Sequence, residues 1–522
     1  MIMRKYIAAA FVLAALLCFG NVVHADDDTP KDAAAHTDKD APKEGLPVPA
    51  ERSVVTRHSM RINGRSISYT ATAGTLLIKN DKDKPAVSFF YVAYAVDGGK
   101  PGGSKRPLTF MYNGGPGSSS MWLHMGSFGP VRVANQGDKP IPPPPYETVA
   151  NDNSLLDKSD LVFIDAPGTG YSQLVGRAEG KDFYGIDQDA DAFAKFITRY
   201  VSLNRRWNSP KFLFGESYGT TRSAVLAKLL QEQGMELNGV VLISSILDFN
   251  VWSSTGVDHA FVVNLPSEAA IAWYHDKIAN KPADIRTFLA SVKQYADSDY
   301  MLALAKGDAL TPAETDRVAS QLSQYLGLSP AYIKQANLRI DPSRFRKELL
   351  RDQRRTVGRL DGRFEGIDPD AAGETPDGDA ASDAATGAYL AAFNQYAAET
   401  LKFTEDRPYL PNNYGVINRG WDWKRKSGHG ITQAPYVGTD LADAMRRNPH
   451  LKIFSANGYF DLATPFHATE FDLGHLGLDP LLSKNIEFGF YPSGHMIYFD
   501  VDALKQLKAD LSRFYDAAAP KS

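Results

Sequence analysis

Hydrophobic and polar positions change rhythm twice along this chain. Ser59–Ile62 and Arg65–Thr72 alternate around an Asn63-Gly64 pair, the pattern of a hairpin turned by residues that tolerate positive φ. Gly74–Ile78 and Ala86–Val96 read as further strands, so the predicted start is an antiparallel meander. Compact apolar runs follow at Pro107–Tyr112, Leu161–Ile164, Lys211–Phe214 and Gly239–Ser244, with an amphipathic helical pattern over Asp187–Val201. Strand and helix in turn predict crossover units and a mainly parallel sheet. Between about Leu247 and Tyr436 that rhythm stops. Helical patterns at Ser267–Ala279, Ile285–Tyr295, Ala313–Leu326 and Ala388–Thr400, separated by prolines, predict a mostly helical cap inserted into the core. Strand runs return at Leu451–Ala456 and Ile486–Tyr491, and Asp502–Tyr515 closes the chain as a helix. The expected class is α/β, its core built from residues 54–246 and 437–522 around a cap of residues 247–436.

The ends of the chain read differently. Arg4 and Lys5, an apolar run from Tyr6 to Phe19 and the small residues Val23 and Ala25 have the layout of an export signal cleaved after Ala25. The run is short for a membrane span, so no stable membrane insertion is expected after removal of the signal. Cys18, the only cysteine, follows Leu17, which is bulkier than the residue that precedes a lipidated cysteine. The exported protein would then carry no disulfide. From Asp26 to about Ser53, Asp, Lys, Ala and Pro dominate and predict a mobile tail. The 522 residues, 43% hydrophobic, suffice for a large core, and a net charge of −4 spread along the chain argues against a nucleic-acid surface. Asp361–Asp383 is rich in Asp, Gly and Ala. It matches no calcium-loop spacing, so a solvated loop is the expectation, with no metal and no cofactor.

Candidate chemistry centres on Phe212–Leu226, where an apolar run enters Gly215-Glu216-Ser217-Tyr218-Gly219 and leaves as a helix with a C-cap at Gly234. A turn tight enough to raise Ser217 above a sheet excludes neighbouring Cβ atoms, which is the steric reason for Gly215 and Gly219. A serine nucleophile needs a base, and the base needs a carboxylate to orient it. His495, one short loop beyond the strand ending at Tyr491, is the best-placed base; His259, His275, His429, His450, His467 and His475 read as cap, surface or packing residues. Asp461 follows the strand before it, and could otherwise be an ordinary turn aspartate. Two backbone N–H groups should face the developing oxyanion: one from Tyr218, the other from the glycine-rich Asn113–Ser120 segment after the first core strand.

Asn-Gly-Gly-Pro-Gly-Ser-Ser-Ser at 113–120, Ile-Asp-Ala-Pro-Gly-Thr-Gly-Tyr-Ser at 164–172, Gly-Glu-Ser-Tyr-Gly at 215–219, Gly-Tyr-Phe-Asp at 458–461 and Ser-Gly-His-Met at 493–496 resemble, in order and spacing, the serine carboxypeptidase family. The resemblance covers roughly Pro107–Ile246 and Leu451–Phe514, and the chain looks like a bacterial, exported relative. It implies an α/β-hydrolase fold, a triad of Ser217, Asp461 and His495, oxyanion donors at Gly115 and Tyr218, and a grip on the free C-terminal carboxylate of a peptide by Asn113, Gly114 and Glu216. Glu216 can be argued directly: beside the nucleophile, only a protonated acid would attract a substrate carboxylate. Two positions depart from the family pattern. Ser127 stands where a second glutamate is common, which predicts a lower Glu216 pKa unless burial raises it. Ser118 and Thr464 stand where cysteines are often found.

The expected function is removal of C-terminal residues from peptides through an acyl-enzyme. An acyltransferase or esterase of the same fold and a catalytically silent envelope protein that binds peptides are the alternatives.

Overall fold

The computed structural model describes residues 45–97, 105–135, 137–252, 258–426 and 434–519. The export signal, Cys18 and His429 lie outside these residues.

Across the central sheet the strands run Ser53–Ile62, Arg65–Lys79, Pro85–Val96, Asp160–Ile164, Leu108–Tyr112, Lys211–Glu216, Gly239–Ile243, Lys452–Gly458 and Ile486–Tyr491, with the two-residue Gln173–Leu174 also paired to the third. Neighbours among the first four are antiparallel, and every later neighbouring pair is parallel. This is the expected α/β-hydrolase sheet with antiparallel N-terminal strands. The parallel strands Leu108–Tyr112, Lys211–Glu216 and Gly239–Ile243 are buried at every position, which is why they read as continuous apolar runs. Helices Ile186–Leu203, Tyr218–Glu232 and Gly438–Arg447 pack on one face, and Val501–Ala518 on the other.

The structure corrects several boundaries. Arg65–Lys79 is one strand of 15 residues in which Gly74 pairs with Ser53 and Tyr91 rather than breaking the run. The tail expected up to Ser53 is already ordered by Leu46, whose backbone exchanges hydrogen bonds with Gly176, and Arg52 bonds the Thr404 carbonyl at 2.7 Å. The helix read as Ser267–Ala279 spans His259–Tyr274 with Pro266 inside it, and the one read as Ala388–Thr400 begins at Ala380.

The insertion has two parts. Helices between His259 and Glu348 enclose a core of their own that closes against Tyr459, Phe460, Leu462 and Phe466. The helix Ala380–Gln395 and the segment after it instead join the hydrophobic layer of the sheet, with Tyr389 against Trp122 and Phe393 against Tyr409. His467, expected as a surface or packing residue, is a buried link between the core helix Phe466–Gly474 and the first part of the insertion: Nε2 meets Asp297 at 2.8 Å and Nδ1 meets Glu470 of its own helix at 3.1 Å. The solvated loop expected over 361–383 is corrected at its start, while residues 369–379 are exposed or half-buried turns as expected. Asp361, Arg363 and Asp368 are buried, the last paired with buried Lys347 at 2.7 Å. Each charge is neutralised by a partner rather than by water.

Candidate active site

Ser217 sits between the strand Lys211–Glu216 and the helix Tyr218–Glu232 with φ 59° and ψ −131°, left-handed backbone that a serine adopts only where its surroundings impose it. Its N–H is tied to the Ile243 carbonyl of the next strand at 2.9 Å. A Cβ on Gly215 would lie 2.1 Å from the Gly219 carbonyl oxygen, so the expected steric reason for that glycine holds. The Asn113–Ser120 turn lies directly on this elbow: a Cβ on Gly114 would fall 2.4 Å from the Tyr218 nitrogen. Tyr218 opens its helix, so its N–H belongs to the first turn, which has no intrahelical acceptor. Gly115 follows with φ +108°.

His495 is buried on the loop after Ile486–Tyr491. Its Nδ1 meets Asp461 Oδ2 at 2.7 Å. Asp461 is fully buried and held from the other side, with Oδ1 accepting the N–H groups of Ala463 and Thr464 at 2.7 and 3.0 Å. The Thr464 hydroxyl donates to Asp461 Oδ2 at 2.7 Å and lies 3.1 Å from His495 Nδ1. The position where relatives often carry a cysteine thus supplies a hydroxyl to the carboxylate. Burial opposes protonation of His495, but the charges of Asp461 and Glu216 outweigh it and raise its pKa above the ordinary imidazole value.

Glu216 is 3% exposed and accepts from Asn113 Nδ2 at 2.7 Å through Oε1. Asn113 is itself fixed, its Oδ1 accepting from the Leu123 N–H at 3.0 Å and its carbonyl from Arg222 at 2.8 Å. Arg222 forms a buried bidentate pair with Asp189 at 2.7 and 3.0 Å. Glu216 Oε2 is buried, and the Tyr498 hydroxyl lies against it without a hydrogen bond of normal geometry. Burial pushes the Glu216 pKa up to about 7, further than the charge of His495 lowers it. Burial, the stated exception to a lower value, is the largest influence on this carboxyl. Ser127 is buried, donates to the Leu123 carbonyl at 2.5 Å and adds no charge.

Asn113, Gly114, Gly115, Glu216, Ser217 and His495 line one cavity of about 610 Å³. Among the described residues, no group of acidic, histidine or cysteine side chains is arranged to hold a metal ion.

The sequence reading missed a whole wall of this site. The His495 N–H donates to the Leu360 carbonyl at 2.6 Å, and the Gly494 N–H to Asp361 Oδ2 at 3.2 Å. Arg363 bridges Asp361, the Pro492 carbonyl and Asp500. These contacts use backbone atoms and side chains of the insertion, and no motif marks them.

The family model for serine carboxypeptidases matches residues 65–358, more than half of the chain. The chain belongs to the serine carboxypeptidase family. The match includes the sheet strands from Arg65–Lys79 to Gly239–Ile243 and more than half of the insertion, and stops before the last two strands and before Asp461 and His495, whose pairing rests on the geometry above. The pheromone-processing carboxypeptidase KEX1 of Saccharomyces cerevisiae is 32% identical over 146 residues, 27% of this chain and 19% of that protein. KEX1 of Candida dubliniensis is 29% identical over 193 residues, 33% of this chain and 26% of that protein. This serine carboxypeptidase relative therefore aligns with about a fifth to a quarter of the length of those curated proteins. A solved proline iminopeptidase from Mycobacterium smegmatis covers 85% of the chain, and is itself covered to 98%, at 14% identity and a TM-score of 0.35. The fold assignment rests on the chain's own sheet.

Proposed function

We propose that this protein is an exported serine-type carboxypeptidase that removes C-terminal residues from peptides. The observation that carries the proposal is the 2.7 Å contact between His495 and Asp461 beside a cavity shared with Ser217 and the protonatable Glu216. Ser217 Oγ attacks the carbonyl carbon of the last peptide bond while His495 Nε2 takes its proton, and Asp461 stabilises the imidazolium. The carbonyl oxygen becomes an oxyanion facing the N–H groups of Gly115 and Tyr218. His495 returns the proton to the leaving amine, the C–N bond breaks and an acyl-enzyme remains. Water then repeats the sequence, releasing the shortened peptide and restoring Ser217.

Glu216, protonated, donates to the C-terminal carboxylate of the substrate together with Asn113 and the backbone of Gly114. That demand explains the removal of terminal residues only, since an internal bond presents no carboxylate there. The first 25 residues supply the export signal, and no helix among the described residues is long and apolar enough to cross a membrane. The test is mass spectrometry of a mixed peptide library with Ser217→Ala as control. Stepwise loss of single C-terminal residues, absent in the variant, is expected. Internal cleavage, or ester products when an alcohol is supplied, would replace this reading with an endopeptidase or an acyltransferase. N-terminal sequencing of the secreted protein should begin at Asp26.

A further inference from the structure

The cavity that holds Ser217 carries four ionisable side chains besides its tyrosine: Glu216, Arg359, Asp379 and His495. Three have assigned partners. Glu216 is held by Asn113, and His495 by Asp461. Asp379 accepts the Ala381 N–H through Oδ1 and the Leu360 N–H through Oδ2, both at 3.0 Å, and so caps the helix that follows it. Arg359 is different. Its guanidinium has no hydrogen-bond or ion-pair partner among the described residues, and the side chain is exposed into the cavity. It also borders a second cavity of about 250 Å³, whose only carboxylate, Asp341, is spent capping the helix Pro342–Glu348 and facing Arg344.

The backbone beneath Arg359 is fixed from several sides. Its carbonyl accepts from the Leu462 N–H at 3.0 Å, one residue past Asp461. The Leu360 carbonyl accepts from the His495 N–H at 2.6 Å, and the Gly358 N–H donates to the Phe364 carbonyl at 2.9 Å. A permanent cation is thereby mounted between the Asp461 and His495 loops, and its charge opposes protonation of His495. An arginine left unpaired in a concave site, on rigid backbone, matches a planar anion.

We propose that Arg359 is the receptor for a substrate carboxylate and that the enzyme selects an acidic residue next to the scissile bond. The proposal rests on the carboxypeptidase reading and supplies its substrate class. An aspartate or glutamate side chain on either side of the bond would meet the guanidinium with two parallel N–H···O bonds. A neutral or basic side chain would leave the cation without a partner, and a lysine would be repelled.

The experiment measures kcat and KM for N-acylated peptides carrying Glu, Gln or Lys at the last or penultimate position, each as the free acid and as the C-terminal amide. Wild type should favour Glu over Gln by about two- to five-fold, carried by KM, as expected for a partly exposed ion pair. Arg359→Gln should bring that ratio near one, and Arg359→Glu should invert it toward Lys. If Arg359→Gln instead raises KM equally for all free acids and not for amides, the carboxylate received is the terminal one and the proposal is overturned. A Glu/Gln ratio that neither variant moves overturns it. Protection of Ser217 from a fluorophosphonate by N-acetylglutamate against N-acetylglutamine gives the same comparison without turnover. If wild type cleaves no peptide, the carboxypeptidase reading falls. The receptor then stands only if N-acetylglutamate protects better in wild type than in Arg359→Gln.

Discussion

Two loops meet at His495, and they come from different kinds of chain. Ser493–Met496 belongs to the sheet core and carries its chemistry in side chains, whereas Gly358–Phe364 belongs to the insertion and acts largely through backbone atoms and buried charges. The core loops obey local constraints. A serine at φ 59° needs glycine within two residues, and an aspartate that orients histidine must follow the neighbouring strand. The insertion obeys only a global one: some carbonyl must accept the His495 N–H, and some charge must compensate Arg363. A site can thus be recognised from one region while backbone contacts that hold its geometry come from another.

The comparison breaks most sharply at the core. Ser217→Ala or His495→Ala should lower kcat by about 10⁴-fold or more, and the double variant should lose little beyond either single one, because the residues act as a unit. Labelling by a serine-directed fluorophosphonate should vanish in Ser217→Ala. Residual activity at the wild-type level would move the nucleophile elsewhere.

Asp189→Ala comes next, in stability rather than rate. It leaves the Arg222 guanidinium unpaired at 1% exposure beneath Asn113, and should cost about 3–5 kcal/mol in denaturant unfolding. A shift below about 1 kcal/mol would show that water or a rotamer change satisfies the arginine.

Asp361→Ala sharpens the comparison from the insertion side. It removes the acceptor of the Gly494 N–H and the partner of Arg363, so the His495 loop should shift and kcat should fall about ten- to a hundred-fold. Fluorophosphonate labelling of Ser217 should slow in parallel, while the KM of amidated peptides stays near its wild-type value. Unchanged kcat would make the wall passive.

The smallest expected effect is a pH dependence. Glu216 is protonated below a pKa of about 7 and ionised above it, so KM for free-acid peptides should rise up to about ten-fold per pH unit beyond that point. His495 must be neutral to accept a proton, and its pKa is raised, so kcat should climb with pH above the ordinary imidazole range. Each charge influences the other, and the profile belongs to the pair. Glu216→Gln should flatten the KM rise and keep the kcat limb. The same variant bears on stability: the folded pKa lies above the ordinary carboxyl value of about 4.5, so protonation of Glu216 favours the fold, fully below about 4.5, and that contribution is lost as pH rises through about 7. Identical KM profiles for acids and amides across this range would remove Glu216 from carboxylate binding.

Short-range sterics and burial leave a local record in the amino-acid order. Apolar runs marked the four central strands Leu108–Tyr112, Asp160–Ile164, Lys211–Glu216 and Gly239–Ile243, because a strand buried on both faces must be largely apolar. Gly215 and Gly114 marked the elbow and the turn upon it, because no Cβ fits at either. Asp461 and His495 were legible from their places after successive strands. The tertiary structure alone decided that Asp361, Arg363 and Asp368, polar enough to read as a solvated loop, are buried in charge pairs with partners scattered along the chain, from the next few residues to well over a hundred away. It decided that burial, rather than the absent second acid, governs Glu216. It also decided that Arg359 lines the cavity with no ion-pair partner among the described residues. Pairing and desolvation depend on which distant residues come together, and no local pattern encodes them.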